Sequence, residues 1–66
     1  MANRLRAERL RRGWTQTDLG ARAHLATSDV SRIETGRFIP YPEQLRRLAR
    51  VLQLPAGALL EEVPDA

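Results

Sequence analysis

Residues 15–36 constrain the fold of this chain more than any other stretch, because they mark out two short helices and the turn between them. Thr15 can cap a helix by accepting hydrogen bonds from backbone N–H groups of the next turn, and Asp18 follows at the spacing of a capping box. Trp14 before the cap and Leu19 inside the helix have the spacing of a hydrophobic staple. The pattern therefore predicts a helix that begins directly after Thr15.

A second helix is predicted to begin at Ala26 or Thr27. Both starts stay open, because the hydrophobic spacing favours Ala26 as the cap whereas the side-chain chemistry favours Thr27. Val30 and Ile33 form the inward stripe of this helix. Gly36 suits the left-handed backbone conformation that commonly ends a helix.

Two residues of the same stretch indicate how the backbone is arranged between and within these helices. Gly20 lies within the first of these helices, where glycine costs about 1 kcal/mol relative to alanine, and this cost suggests that the helices approach closely there. His24 lies in the turn. We interpret it as a turn residue with positive φ, which histidine tolerates better than β-branched residues do, and as neither a metal ligand nor a catalytic base.

The flanking sequence predicts two longer helices. One occupies about residues 3–12, with Leu5 and Leu10 facing inward and Gly13 ending it. The other begins at Pro42, which suits the first helical position, and its apolar residues follow the 3.6-residue period up to position 52.

A short fifth helix is predicted at about residues 56–61, with Leu59 packed against the other helices. Pro55 offers no capping side chain and Gly57 weakens the first turn, so this helix is expected to be the least stable element. Together these elements predict an all-α fold, a compact bundle of five helices with helices 2 and 3 as its central pair.

The length of 66 residues allows one domain with a small core. We expect that domain at residues 1–62, followed by a short C-terminal tail at residues 63–66. The chain has no cysteine, which suits a reducing compartment, and no apolar run long enough to cross a bilayer. We therefore expect a cytoplasmic protein that does not bind membranes.

Charge is unevenly distributed along the chain. All eleven basic residues are arginine, and residues 1–12 carry five of them with a single glutamate, whereas residues 61–66 carry only acidic charges. A basic start and an acidic end in one small domain indicate one surface that faces a polyanion and another that avoids it.

Enzymatic function is not expected from this sequence. The chain has one histidine, no cysteine and no glycine-rich phosphate loop, and Glu61 and Glu62 are its only adjacent pair of carboxylates. These residues do not provide an acid, a base and a nucleophile that act together. We expect neither a metal site nor a cofactor.

The segment WTQTDLGARAHLATSDVSRIETGR resembles the helix-turn-helix of the Cro and phage-repressor DNA-binding proteins, often called the XRE family. The residues in register are the Thr-Gln opening, Leu19, Val30, Ile33 and the Glu34-x-Gly36-basic ending. The similarity covers about residues 5–60, and the chain departs from the family at Gly20, usually Ala, and at His24, usually Gly. The resemblance implies a five-helix fold of the phage-repressor type and a sequence-specific transcriptional regulator that binds double-stranded DNA, most simply a repressor.

By this resemblance, four polar side chains occupy the positions that contact bases: Thr27, Ser28, Ser31 and Arg32. Arg32 is the strongest candidate, because a guanidinium can donate to O6 and N7 of guanine together, a contact worth roughly 1–3 kcal/mol of discrimination. Thr27 could offer its methyl group to thymine or its hydroxyl to an acceptor. The alternative is that all four form an ordinary solvated face.

Phosphate contacts are predicted for Thr15, Gln16, Arg12 and Arg37. The free N–H groups and the positive dipole end of a helix N-terminus favour a phosphate beside Thr15 and Gln16. The resemblance gives Gln16 a phosphate-clamping role and places Arg37 on the same strand farther along. For each arginine, a solvated charge without a partner is the alternative.

The resemblance also implies an ion pair between Arg9 and Glu34, which would tie the first helix to the end of the DNA-reading helix. The alternative is two independent surface charges. Such a pair need not add net stability, so its main effect would be on the orientation of the reading helix.

A homodimer is expected, because one reading helix covers only a few base pairs and two-fold dimers bind pseudo-palindromic operators. Surplus apolar residues supply the candidates for the dimer surface: Leu60, Val63, Phe38 and Tyr41. A different function class is an antitoxin that binds a toxin partner as well as operator DNA. The short acidic segment at residues 61–66 offers little length to wrap a toxin, which favours the regulator.

Overall fold

The computed structural model describes residues 2–64, which are mostly helical. The elements in chain order are β1 (Ala2–Asn3), α1 (Arg4–Arg11), α2 (Gln16–Ala23), α3 (Thr27–Glu34), α4 (Pro42–Leu52), a 3-10 helix (Ala56–Ala58) and β2 (Glu62–Val63). The two short strands pair in antiparallel orientation. None of the described helices is both long enough and apolar enough to cross a membrane.

The predicted fifth helix at residues 56–61 is wrong, and four α-helices are present within residues 2–64 instead of five. The segment makes only the three-residue 3-10 helix, whose N-cap, Pro55, provides no side-chain hydrogen bond. Gly57 lies at its centre and adds the backbone entropy cost of glycine. Leu59 is nevertheless fully buried, so the segment contributes to the core without forming an α-helix.

The C-terminal segment instead closes over the start of α1. Two backbone N–H groups of α1 donate to its carbonyl oxygens, Arg4 to Glu61 at 2.8 Å and Leu5 to Leu59 at 3.0 Å. These bonds satisfy N–H groups that have no partner within the first turn of a helix. Val63 pairs with Ala2 and therefore belongs to the folded domain and not to the predicted tail, of which residues 65–66 lie outside the described part.

The inner face of α1 differs from the predicted one. Leu5 is fully buried, but Leu10 is 50% exposed, so the prediction that Leu10 faces inward is wrong. At 3.6 residues per turn, positions five apart point roughly 140° away from each other. Arg9 follows Leu5 by four residues, lies on the same face and is buried. The inward side of α1 thus ends in a charged side chain.

The start of α2 has the predicted capping box. The Oγ1 atom of Thr15 accepts from the backbone N–H of Asp18 at 3.0 Å, and the Asp18 carboxylate accepts from the backbone N–H of Thr15 at 2.9 Å. Hydrogen bonds from Thr15 hold the pKa of Asp18 below its usual value, because they favour the ionised carboxylate.

The turn at residues 24–26 brings α2 and α3 close together. His24 ends α2 in the left-handed conformation, with φ of 57°, as predicted. A Cβ atom on Gly20 would lie 2.6 Å from the carbonyl oxygen of Leu25 and 3.6 Å from the Val30 side chain. The close approach at Gly20 is therefore confirmed, and the tightest neighbour is the backbone of the turn itself.

We expect Gly20→Ala to destabilise the domain, although alanine favours a helix by about 1 kcal/mol. The added methyl group would have to displace the Leu25 carbonyl, and such overpacking costs about 1–3 kcal/mol. Thermal unfolding should show a lower Tm. The control is Gly57→Ala, whose Cβ would meet no atom within 4 Å. A Tm for Gly20→Ala that rises above the wild-type value would contradict the close packing.

The core lies between the four helices and the 3-10 helix. Its buried apolar residues are Leu5, Leu19, Ala23, Val30, Ile33, Leu48, Ala49, Leu52 and Leu59. Arg47 of α4 donates through Nε to the carbonyl oxygen of Ala23 at 3.0 Å, which ties α4 to the C-terminal end of α2. These contacts lie on the inner side of α2 and α3, and they leave the outer side of α3 uncovered by other elements.

Candidate nucleic-acid interface

The first turn of α3 is exposed and has no side-chain cap. Of the two predicted starts, the structure has Ala26 as the N-cap, and Ala26 makes no side-chain hydrogen bond. Thr27 is consequently the first helical residue, and its hydroxyl does not cap the helix. The N-terminus of α3 therefore presents backbone N–H groups that can donate to an external partner.

The two sides of α3 differ sharply in exposure. Val30 and Ile33 are at most 1% exposed, whereas Thr27 and Ser28 are exposed and the Arg32 side chain is 62% exposed. Ser31, the fourth predicted base-contacting residue, is half-buried. Three of the four predicted side chains thus lie on an open surface, and Ser31 is the least accessible of them.

Arg32 has only one weak charged neighbour among the described residues. Its Nη1 atom lies 3.8 Å from Oδ1 of Asp29, one turn earlier on α3. An exposed ion pair of this length contributes little free energy. Arg32 can therefore leave Asp29 for a stronger acceptor at small cost.

Thr27 contacts a residue that sequence reasoning did not single out. Its Oγ1 atom lies within hydrogen-bond distance of Oγ1 of Thr17 on α2, at 3.3 Å, and both residues are exposed. No periodic or capping signal marks Thr17. The contact arises only because the turn between α2 and α3 brings the starts of both helices to the same surface.

A buried ion pair joins α1 to the end of α3. The Nε and Nη2 atoms of Arg9 donate to the two carboxylate oxygens of Glu34 at 2.6 and 3.0 Å, and the side chains are 9% and 1% exposed. The Nη1 atom of Arg9 donates to the carbonyl oxygen of Trp14 at 2.8 Å. The structure therefore contains the Arg9–Glu34 pair, in the two-pronged geometry that arginine and a carboxylate favour.

Glu34 also holds a predicted phosphate-contacting residue. The side-chain amide of Gln16 donates to Oε1 of Glu34 at 3.2 Å. An amide nitrogen carries two hydrogens, so one of them stays available to a further acceptor. The buried carboxylate thus orients Gln16 at the start of α2.

Asn3 is a second residue that sequence reasoning missed. Its Oδ1 atom caps α1 by accepting from the backbone N–H of Arg6, while its Nδ2 atom donates to the carbonyl oxygen of Ile33 at 2.8 Å. One side chain thus serves the start of α1 and the end of α3. An asparagine before a helix is a recognisable cap, but its contact thirty residues away leaves no local signal.

The other residues predicted to contact phosphates differ in exposure and in how many of their donors are already bonded. Arg37 is exposed beside the end of α3. Thr15 has its backbone N–H in the capping box, so that group is not available to a phosphate. Arg12 donates to the Glu8 carboxylate at 2.7 Å and to the carbonyl oxygen of Leu52 at 2.8 Å. These bonds leave Nε and one hydrogen of Nη2 without an acceptor among the described residues, so a phosphate contact by Arg12 stays a prediction.

A comparison of the sequence with protein-family profiles agrees with the arrangement of α2, the turn and α3. The profile described as "Helix-turn-helix domain" matches residues 1–63. The chain belongs to this family of DNA-binding domains. No curated protein matches the sequence significantly. In this helix-turn-helix domain, α2 and α3 are the two helices of the motif.

Most of the N-terminal arginines of the helix-turn-helix domain are engaged by acidic groups. Their ion pairs join Arg4 to Glu61, Arg9 to Glu34, and both Arg11 and Arg12 to Glu8. The two arginines that bond Glu8 hold its pKa below the usual value. Arg4 and Arg9 pair with acidic residues outside residues 1–12, which lowers the charge excess of that stretch from four to two. Arg32 and Arg37 are exposed cations beside α3.

The predicted dimer residues lie near an open groove at the C-terminal end of α3. The apolar lining of this groove consists of Ile33, Phe38, Ile39 and Leu60. Phe38 also meets Tyr41 edge to face, with ring centroids 5.7 Å apart. Ile39 is 78% exposed and was not among the predicted residues. Val63 is half-buried in β2.

Proposed function

We propose that this helix-turn-helix domain is a sequence-specific transcriptional regulator of the Cro and phage-repressor (XRE) type, most simply a repressor. The observation that carries the proposal is the division of α3 into a buried side and an exposed polar side that ends in Arg32. A helix of this kind fits the major groove of B-DNA, and its short polar side chains allow close approach to base edges. Arg32 would donate to O6 and N7 of a guanine.

The flanks of α3 would hold the DNA backbone. The N-terminus of α2, with Gln16 fixed by Glu34, suits a phosphate on one side of the groove. Arg37, exposed after the other end of α3, would contact a phosphate farther along. Such contacts set the register of the protein on the duplex, while the α3 side chains supply the sequence preference.

The domain would act as a two-fold dimer. The groove lined by Phe38, Ile39 and Leu60 lies beside the C-terminal end of α3, so a two-fold axis through it would relate the α3 helices of two copies. This arrangement fits two half-sites about one helical turn apart. Sedimentation with and without operator DNA tests it. A heteromeric assembly with a different small protein would favour the antitoxin alternative.

The affinity for DNA is expected to fall steeply with salt. With about six phosphate contacts in a dimer, the slope of log affinity against log salt should be roughly −5. Fluorescence anisotropy on a labelled duplex measures this slope between low and physiological salt. A slope near zero would exclude this binding mode.

Arg37→Ala and Arg46→Ala provide the matched comparison for the salt measurement. Arg37→Ala should bring the slope closer to zero by about one for each phosphate that the variant no longer neutralises. Arg46 is an exposed arginine of α4, whose neighbour Arg47 contacts the C-terminal end of α2. Its replacement removes the same charge from α4 instead of from the end of α3, and it should leave the slope nearly unchanged. Equal changes in both variants would indicate attraction by net charge alone.

A further inference from the structure

We propose that Thr35, the C-cap of α3, is a further base-contacting residue and that its methyl group packs on the C5-methyl group of a thymine. The inference rests on the proposed function, since it names a base that the exposed side of α3 would recognise. It follows from the position of Thr35 on the helix and from the hydrogen bonds of its hydroxyl group.

Thr35 continues the exposed side of α3. Its backbone stays in the right-handed helical region, and its N–H group donates to the carbonyl oxygen of Ser31 at 3.1 Å. It follows Ser28 by seven residues and Ser31 by four, which are spacings that place side chains on one face of a helix. Thr35 is exposed, as Ser28 and Arg32 are. A duplex along this side of α3 therefore meets Thr35 one turn beyond Ser31.

The neighbours of the Thr35 hydroxyl fix the direction in which it donates. Its Oγ1 atom lies 3.1 Å from the carbonyl oxygen of Ser31 and 3.2 Å from that of Arg32. Carbonyl oxygens only accept hydrogen bonds, so the hydroxyl hydrogen lies between Oγ1 and these two atoms. A hydrogen turned towards solvent would leave oxygen lone pairs facing each other. Thr35 therefore has no hydrogen to offer to a phosphate oxygen or to an acceptor on a base.

The same geometry leaves the methyl group of Thr35 for the DNA. The substituents of Cβ occupy staggered positions, and Oγ1 takes the position beside the preceding turn of α3. The Cγ2 methyl group must then take another position on this exposed residue. Among the four bases, thymine alone carries a methyl group in the major groove. Contact between the two methyl groups removes apolar surface from water, which favours thymine at this position.

The experiment compares the duplexes that wild type, Thr35→Ser and Thr35→Val select from a random pool. Wild type should enrich thymine at one position of each half-site. Thr35→Ser keeps the hydroxyl but lacks the methyl group, so it should reduce that preference by roughly fourfold, the value for burying about one methyl group. Thr35→Val keeps a methyl group but lacks the hydroxyl, and it should retain the preference. The reverse pattern would show that the hydroxyl makes the contact and would overturn the inference.

A uracil in place of the selected thymine removes only the C5-methyl group from the duplex. Wild type should bind the uracil duplex roughly fourfold more weakly, whereas Thr35→Ser should bind both duplexes equally. All proteins are compared at a temperature at which circular dichroism shows them folded. Equal binding of both duplexes by the wild type, or an equal loss in Thr35→Ser, would overturn the inference and leave the regulator proposal intact. A wild-type protein that enriches no sequence would overturn both.

Discussion

Arg9→Met is expected to lose about 3–5 kcal/mol of unfolding free energy, the usual cost of leaving one partner of a buried ion pair without the other. Glu34 is 1% exposed and would lose both hydrogen bonds from Arg9, so that Gln16 would be its one remaining side-chain donor among residues 2–64. At about 0.05–0.15 kcal/mol per residue, a chain of 66 residues is stable by about 3–10 kcal/mol, so this loss removes a large share of the total. Urea and thermal unfolding followed by circular dichroism measure the loss.

Two further variants control the Arg9 measurement. Arg11→Met removes an arginine from the same helix whose side chain is 68% exposed, and it should change stability by less than about 0.5 kcal/mol. Arg9→Met combined with Glu34→Met removes the uncompensated charge and should be more stable than Arg9→Met alone. If Arg9→Met and Arg11→Met have equally small effects, the pair does not hold α1 against α3.

Arg32→Ala is expected to reduce discrimination at one base position by roughly 5- to 150-fold, which corresponds to the 1–3 kcal/mol of a two-pronged contact with guanine. Affinity at the other positions should fall by a smaller and similar factor, because only one positive charge is removed. Competition titrations, in which each base of the bound duplex is replaced in turn, measure both effects.

Arg46→Ala is the matched control for Arg32→Ala. It removes the same charge from an exposed position of α4, and it should leave the order of preferred bases unchanged. A uniform loss of affinity in Arg32→Ala, with discrimination kept at every position, would place Arg32 on the phosphate backbone and not on a base.

The sequence predicted the central part of the fold because its signals there are local. Thr15 and Asp18 cap α2 through residues three apart, and Gly36 takes a positive φ of 78° just after α3. Such spacings act within one turn of helix, so they can be read without knowledge of the tertiary structure.

The errors arise where contacts between distant residues decide the outcome. The segment after Pro55 has the apolar spacing of a helix, but its carbonyl oxygens bond the first N–H groups of α1 instead. No local signal predicts that Arg12 donates to the carbonyl oxygen of Leu52, forty residues away. Thr17 shows the same limit within the candidate site, since only the packed turn brings it to Thr27.

The most direct test of the central claim is the sequence that the wild-type protein enriches from a pool of random duplexes. If the exposed side of α3 contacts base edges, the recovered duplexes should share a pseudo-palindrome with half-sites about one helical turn apart and a guanine in each half. A recovered pool with the same base composition at every position as the starting pool would contradict the account.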